Sequence, residues 1–370
     1  MIDYPQTWQH MRVALAHDWL TGMRGGERVL ELIGDGFLEA PIYTLLYKPD
    51  SVSDRINRHQ VVPSMLQGIP GIEKRYRYFL PLHPRMISRF RPDPVDLLIS
   101  TSHCVAKGLP PPPGARHLCY CFTPMRYAWT FYEEYFGTNP IKKALLKPVL
   151  ARLRRWDYEK SAQVDRFVAI SHHIRKRIQS FYNRDADVVY PPVDTERCQP
   201  GAPGHDGFDL IVSALVPYKR VDLAVDAYTD SGYPLIVVGT GTEYRALKSR
   251  AGSNIQFLGW KSDAEILALY QRCRLLVFPG EEDFGIVPVE AQACGKPVVA
   301  YARGGALETI VDGETGIHFE EQTSICLREA IERCASTSWD PQAIRHQAET
   351  FSEQNFIDGL QKSIEACLSA

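Results

Sequence analysis

The feature that most constrains this chain is a repeated alternation of short apolar runs with amphipathic stretches, begun twice. RVALAHDW (12–19) leads into TGMRGGERVLELIGDGF, a glycine-rich turn and a helix. DLLIST (96–101), HLCYCF (117–122) and RFVAIS (166–171) are further apolar runs followed by polar or helical sequence, and VVYPPVD (188–194) closes this part. After CQPGAPGHDGF (198–208), rich in Pro and Gly, the pattern restarts with DLIVSAL (209–215), PLIVVGTG (234–241), NIQFLG (254–259), LLVFPG (275–280) and KPVVAY (296–301), with helical sequence between them. Apolar strands of this length, alternating with helices, belong to parallel sheets covered on both faces. The 370 residues suit two such domains. The expectation is an α/β protein of two doubly wound, Rossmann-like domains facing across a cleft. It places the first domain at 1–197, a linker at 198–208, the second domain at 209–345, and at 346–370 a C-terminal helix packing back on the first.

A net charge of -2 argues against a dedicated nucleic-acid binder. That average covers an asymmetry: residues 1–195 carry 27 Lys and Arg against 19 Asp and Glu, the rest 15 against 25. The excess suits an anionic partner or membrane surface for the first half. Nine scattered cysteines without a Cys-x-x-Cys pair suggest buried thiols and a cytoplasmic setting. No apolar run approaches the ~18 residues that span a bilayer.

In an open parallel sheet, ligands bind beyond the carboxyl ends of the strands, and the notable motifs fall there. Gly25 and Gly26 open a helix after the first strand, where close backbone approach and amide groups favour an anion. Lys219 and Arg220 follow the first strand of the second half. Cations at a helix start oppose its dipole, and a diphosphate clamp gives that arrangement a purpose. VVGTG, with Gly239 and Gly241, is a turn for close ligand approach, but it lacks the full Gly-x-Gly-x-x-Gly pattern and argues against a nicotinamide site. In EEDFGIVPVEAQACGKPVV, Pro288 suits the first position of a helix and places Glu290 in its first turn, with Glu282 in the preceding turn. Two carboxylates so placed reach the hydroxyls of one bound molecule, with amides of Phe284, Gly285 and Ile286 between them.

On these residues the chain resembles the retaining glycosyltransferases of family four, which have the GT-B fold. The likeness is strongest in the Glu282-x7-Glu290 run. GGERVLE, YCFTPMRYAW, FVAIS and YPPVDT resemble the branch acting on bacterial polysaccharides and lipid-linked oligosaccharides. The resemblance implies that Glu290 holds the ribose of a nucleotide sugar and Glu282 the donor sugar. Lys219 and Arg220 would neutralise the leaving diphosphate, which Gly25 and Gly26 would approach from the other domain. Trp260 and Lys261 would sit beside the base. Ala214 stands where the family often has an arginine, and Phe122 stands where related sequences read histidine before Thr-Pro. His103, His117 and Arg126 are the nearby residues placed to compensate.

The implied reaction is retaining transfer of a hexose, mannose first, to a saccharide or polyprenyl-linked acceptor. GDP-mannose is the first donor suggested and a UDP-sugar the second, with no metal or other cofactor. The cation-rich stretches 72–92 and 141–156 suggest peripheral attachment to an anionic inner membrane face. The alternatives are a catalytically weakened nucleotide-sugar-binding relative, or an epimerase or hydrolase on the same fold.

Overall fold

A computed structural model describes residues 2–130 and 140–369, the side chains of Lys74 and of residues 140–144 excepted. The chain forms two compact units: Met1–Pro191 with Phe356–Ala370, and Pro192–Asn355.

The first unit is built on a seven-stranded sheet whose paired strands all run parallel. Its strands are β1 (Val13–His17), β2 (Ile42–Thr44), β3 (Val61–Pro63), β4 (Leu97–Ser102), β5 (Arg116–Cys121), β6 (Arg166–Ala169) and β7 (Asp187–Val188). They lie in the order β3-β2-β1-β4-β5-β6-β7. Every residue of β1 and β4 is buried, as central strands covered on both faces require. The helix Gly25–Gly36 buries Val29, Leu30, Leu32 and Ile33, the apolar stripe its sequence displays. Strands β2 and β3 are three residues each and too short to stand out from their loops in the sequence. Residues from Phe356 on belong to this unit, where the Phe356 ring meets Tyr120 edge-on at 5.5 Å and Ser363 Oγ donates to Asp187 at 2.8 Å.

The second unit holds a six-stranded sheet, also parallel throughout: β8 (Asp209–Val212), β9 (Leu235–Val238), β10 (Ile255–Gly259), β11 (Leu276–Phe278), β12 (Val298–Tyr301) and β13 (Gly316–Phe319). The order is β10-β9-β8-β11-β12-β13. Strand order therefore reverses between β1 and β4 in one unit and between β8 and β11 in the other. Crevices form beyond the carboxyl ends at such points, because the crossovers diverge to opposite faces. Residues 198–208 carry no regular element and group with the second unit.

All nine cysteines are free thiols, eight of them buried. Of the basic stretch 141–156, which lies within the helix Pro140–Ser161, the side chains of 141–144 fall outside the described residues. Among the described residues, no helix is long and apolar enough to cross a membrane.

Candidate active site

In the second unit the switch point lies between the loops that follow β8 and β11. After β8, a single 3-10 turn, Pro217–Lys219, brings Lys219 to the sheet edge. Its ammonium is ion-paired with the Glu282 carboxylate, on the loop after β11. The two side chains are 18% and 15% exposed. Burial of that degree strengthens an ion pair beyond its surface worth. The approach depends on Gly280, whose absent Cβ would stand 2.9 Å from the Lys219 Cα and carbonyl oxygen.

Arg220 adopts a left-handed backbone, φ 51°, uncommon for a residue with a side chain. Its guanidinium donates to Asp222 at 3.2 Å and to Gln322 Oε1 at 3.1 Å, and Gln322 Nε2 donates to the Pro279 carbonyl at 3.0 Å. Lys219 thus meets the acidic loop directly and Arg220 meets it through Gln322.

The helix after this loop begins at Ile286, behind a left-handed Gly285 at φ 98°, two residues earlier than Pro288 suggested. Pro288 occupies its third position, still in the first turn, where no helix acceptor waits for an N–H. Glu290 consequently lies in the second turn, a correction to the sequence expectation, and dipole stabilisation at the helix start does not place it. Tyr270 Oη donates to Glu290 Oε2 at 3.0 Å, and Arg197 Nη2 donates to Oε1 at 3.2 Å. Burial, and then the Glu290 charge, push the Tyr270 phenol well above its ordinary range, so it remains a donor.

The sequence reading did not single out Arg197, Tyr270 or Gln322, nor Gly304 and Gly305. These two glycines close on the acidic loop: Gly305 N donates to the Glu282 carbonyl at 2.8 Å, and a Cβ on Gly304 would lie 2.2 Å from that oxygen. The adjacent glycines in ARGGALET were the only local signal. Gly304→Ala is expected to cost the ~1–3 kcal/mol of a core overlap in addition to its left-handed backbone penalty. Gly313→Ala, at φ 79° with no atom within 4 Å of the added carbon, bears only the latter. Thermal melts of the two variants measure the difference. Equal losses would mean that the loop yields freely.

Gly239 and Gly241, beyond β9, approach backbone that a side chain could not: a Cβ would lie 1.9 Å from the Ser213 oxygen and 2.1 Å from the Leu215 oxygen, respectively. Beside them an open groove of about 670 Å³ is lined by Thr240, Gly241, Thr242, Tyr244, Arg245 and Gly259. Trp260 follows it, 75% exposed, and Lys261 pairs with Glu265 at 2.7 Å. Phe284 is buried, its ring 5.5 Å from Phe351, so its side chain is taken up by packing.

The first unit gathers Gly25, Gly26, His103 and Phe122 at the corresponding edge. Gly25 opens its helix, and a Cβ on Gly26 would meet the Phe122 ring at 3.3 Å. Phe122 lies edge-on to His17, at 6.3 Å. Asp18, wholly buried after β1, accepts four backbone amides, from His103 through Ala106, at 2.6–2.9 Å. It also binds His103 Nδ1 at 3.0 Å. Burial opposes the Asp18 charge, but His103 and its amide outweigh that, holding the carboxyl well below the usual range. His117 is buried against Ser100 Oγ at 2.8 Å and is structural. Arg126 begins the short helix Arg126–Trp129. A separate groove of about 370 Å³ joins the segments 81–88 and 149–156 and includes Arg85, Arg152 and Trp156.

Residues 23–197 match the family description "Glycosyltransferase Family 4", and 193–351 match "Glycosyl transferases group 1". An uncharacterized glycosyltransferase of Methanocaldococcus jannaschii is 33% identical over 172 residues, 45% of this chain and 48% of that protein. A D-inositol 3-phosphate glycosyltransferase of Mycobacterium bovis is 29% identical over 230 residues, 54% of this chain and 48% of that protein. The alignments thus take in about half the length of these curated relatives. Among solved structures, the apo lipopolysaccharide outer core galactosyltransferase WaaB superposes with a TM-score of 0.69 at 16% identity, covering 96% of this chain and 99% of that one. Anabaena HepE in complex with UDP and glucose gives 0.69 at 20% identity, covering 98% and 100%. The two doubly wound units are those of the GT-B fold.

Proposed function

The chain belongs to the glycosyltransferases, with the Family 4 description matching its first part and the group 1 description its second, and from that premise we propose that it moves a hexose from a nucleoside diphosphate sugar to a saccharide hydroxyl with retention of configuration. The observation that carries the reading is the Lys219–Glu282 pair at the β8/β11 switch point, with Arg220 tied to the same loop. In such a transfer, negative charge grows on the departing diphosphate, and cations already fixed in place stabilise it without reorganising. Lys219 and Arg220 serve that charge. Glu282 takes hydroxyls of the donor sugar, Glu290 takes the ribose, and amides of Phe284, Gly285 and Ile286 line the space between. Gly239, Gly241, Trp260 and Lys261 border the base.

GDP-mannose is the first donor to test, by the sequence resemblance. UDP-glucose is the second, with the UDP and glucose complex of HepE as its support. For the acceptor, a saccharide on a polyprenyl diphosphate suits the cations of the first unit. The 370 Å³ groove with Arg85 and Arg152, in a unit that also exposes Tyr78 and Leu145, suits a peripheral position on an anionic bilayer. A second reading, nucleotide-sugar binding without transfer, rests on Phe122. Its ring cannot hydrogen-bond, and it fills the space over Gly26.

A thermal-shift panel of GDP, UDP, GDP-mannose and UDP-glucose tests the donor site. Ligand at a hundred times its dissociation constant stabilises the folded state by ~2.7 kcal/mol, which raises the melting temperature by a few degrees. No response to any of the four removes the donor site. Binding without turnover favours the second reading.

A further inference from the structure

Deepening the donor-site reading, and resting on it, we infer that Arg197 and Tyr270 are positioning residues that orient Glu290 toward the adjacent hydroxyls of a ribose. The Glu290 side chain is 13% exposed, and each of its oxygens is held by a different donor: Oε2 by Tyr270 Oη at 3.0 Å, Oε1 by Arg197 Nη2 at 3.2 Å. Donors on both oxygens stop the carboxylate rotating about its terminal bond. Fixed orientation is what bidentate recognition of a diol demands, because both oxygens must face the two hydroxyls together.

The holders are themselves fixed. Tyr270 is fully buried on the helix Asp263–Arg272. The Arg197 amide donates to Asp194 Oδ1 at 2.8 Å. Arg345 fastens the surrounding segment, donating to the carbonyls of Cys198 at 2.8 Å, Thr195 at 3.1 Å and Ala293 at 2.7 Å. Ala293 closes the helix that carries Glu290. Three chain segments therefore converge on one carboxylate. A largely buried Tyr–Glu–Arg chain is a poor way to stabilise a core that apolar residues would fill as well, and its use lies in holding a polar group still.

Isothermal titration of the full chain with UDP, GDP and their 2′,3′-dideoxy forms tests the assignment. The wild type should bind the ribose forms more tightly. Tyr270→Phe keeps the ring and removes only the hydroxyl. It should weaken the ribose forms about tenfold while leaving the dideoxy forms near their wild-type affinity, so that the preference collapses. Arg197→Gln, at a side chain 30% exposed, should do the same and remains informative if the phenylalanine variant does not fold. An unchanged preference, or an equal loss for both forms, overturns the inference and leaves the donor site standing. Absence of wild-type nucleotide binding overturns the donor-site reading itself.

Discussion

On the proposed assignment of Lys219 to the leaving diphosphate, its replacement with alanine lowers sugar transfer by on the order of 10²–10³-fold, the range seen when one preorganised group facing transition-state charge is removed. The ammonium stands at the end of a one-turn connection from β8, braced against the Glu282 carboxylate and passed closely by Gly280. On that assignment the mounting needs no reorganisation at the moment of reaction. Glu282 loses its counter-charge in the variant, so a second effect is expected. Removing one member of a fully buried pair costs ~3–5 kcal/mol, and this pair, part-exposed, should fall below that. A Lys219→Ala, Glu282→Gln double variant separates the two effects: it should recover thermal stability and not activity. Lys219→Arg should recover little, because a planar fork does not reproduce a compact point charge at the end of a flexible stem. Measured kcat within tenfold of wild type for Lys219→Ala would sink the assignment of this lysine to the leaving group.

The second large effect is acid lability of the first unit. His17, His83 and His117 all lie there, and burial pulls each pKa down to about 4. Each is held as an acceptor or neutral donor: His17 Nδ1 at 2.8 Å from Thr101 Oγ1, His83 Nε2 at 3.1 Å from the Tyr76 carbonyl, His117 Nε2 at 2.8 Å from Ser100 Oγ. In the unfolded chain a histidine takes up its proton near pH 6.5. Between 6.5 and 4 the unfolded state therefore binds protons that the folded state refuses, and stability falls as pH falls. The slope is ~1.4 kcal/mol per pH unit for each histidine. Glu27 acts in the opposite direction, since burial raises its pKa and the folded state takes that proton first. Asp18, held below the usual carboxylate range, changes only under the window. Melting curves from pH 7 to pH 4 should show a steep decline, and His117→Gln should remove about one proton from the slope. A melting temperature flat across that interval would mean that these histidines titrate normally.

The fold was legible because its signal is local. Among the described residues thirteen strands form. The runs at 12–19, 96–101, 117–122 and 166–171 in the first unit cover β1, β4, β5 and β6 to within one residue, and all five in the second contain β8–β12. Runs of Val, Ile and Leu without in/out alternation identify two-sided burial whatever their neighbours prove to be. Strands β2 and β3 escaped because three residues cannot display a period, and their membership of the sheet is visible only in the register of Leu15 with Ile42 and of Ile42 with Val61. The start of the Glu290 helix was misread by two residues because proline is favoured at helix starts in general, while the actual boundary is set by the left-handed Gly285.

The site was legible in part. Lys219 and Glu282 stood out because each breaks a local rule, a cation at a helix start and acids around an apolar run, and the structure brings them into contact. Arg197 breaks no local rule, lying 93 residues from the carboxylate it holds, and Gln322 stands 102 residues from Arg220.

By itself, then, the sequence identified the apolar runs that form the central strands of each sheet and the charge at their ends, though not the short strands β2 and β3. These properties depend on residues within a few positions of one another. Only the tertiary structure decided which charges meet, which glycines let loops close on each other, and which donors hold Glu290. Strand order in a parallel sheet is set by crossovers that bring distant segments side by side, and that geometry leaves no trace in the spacing of the residues it joins.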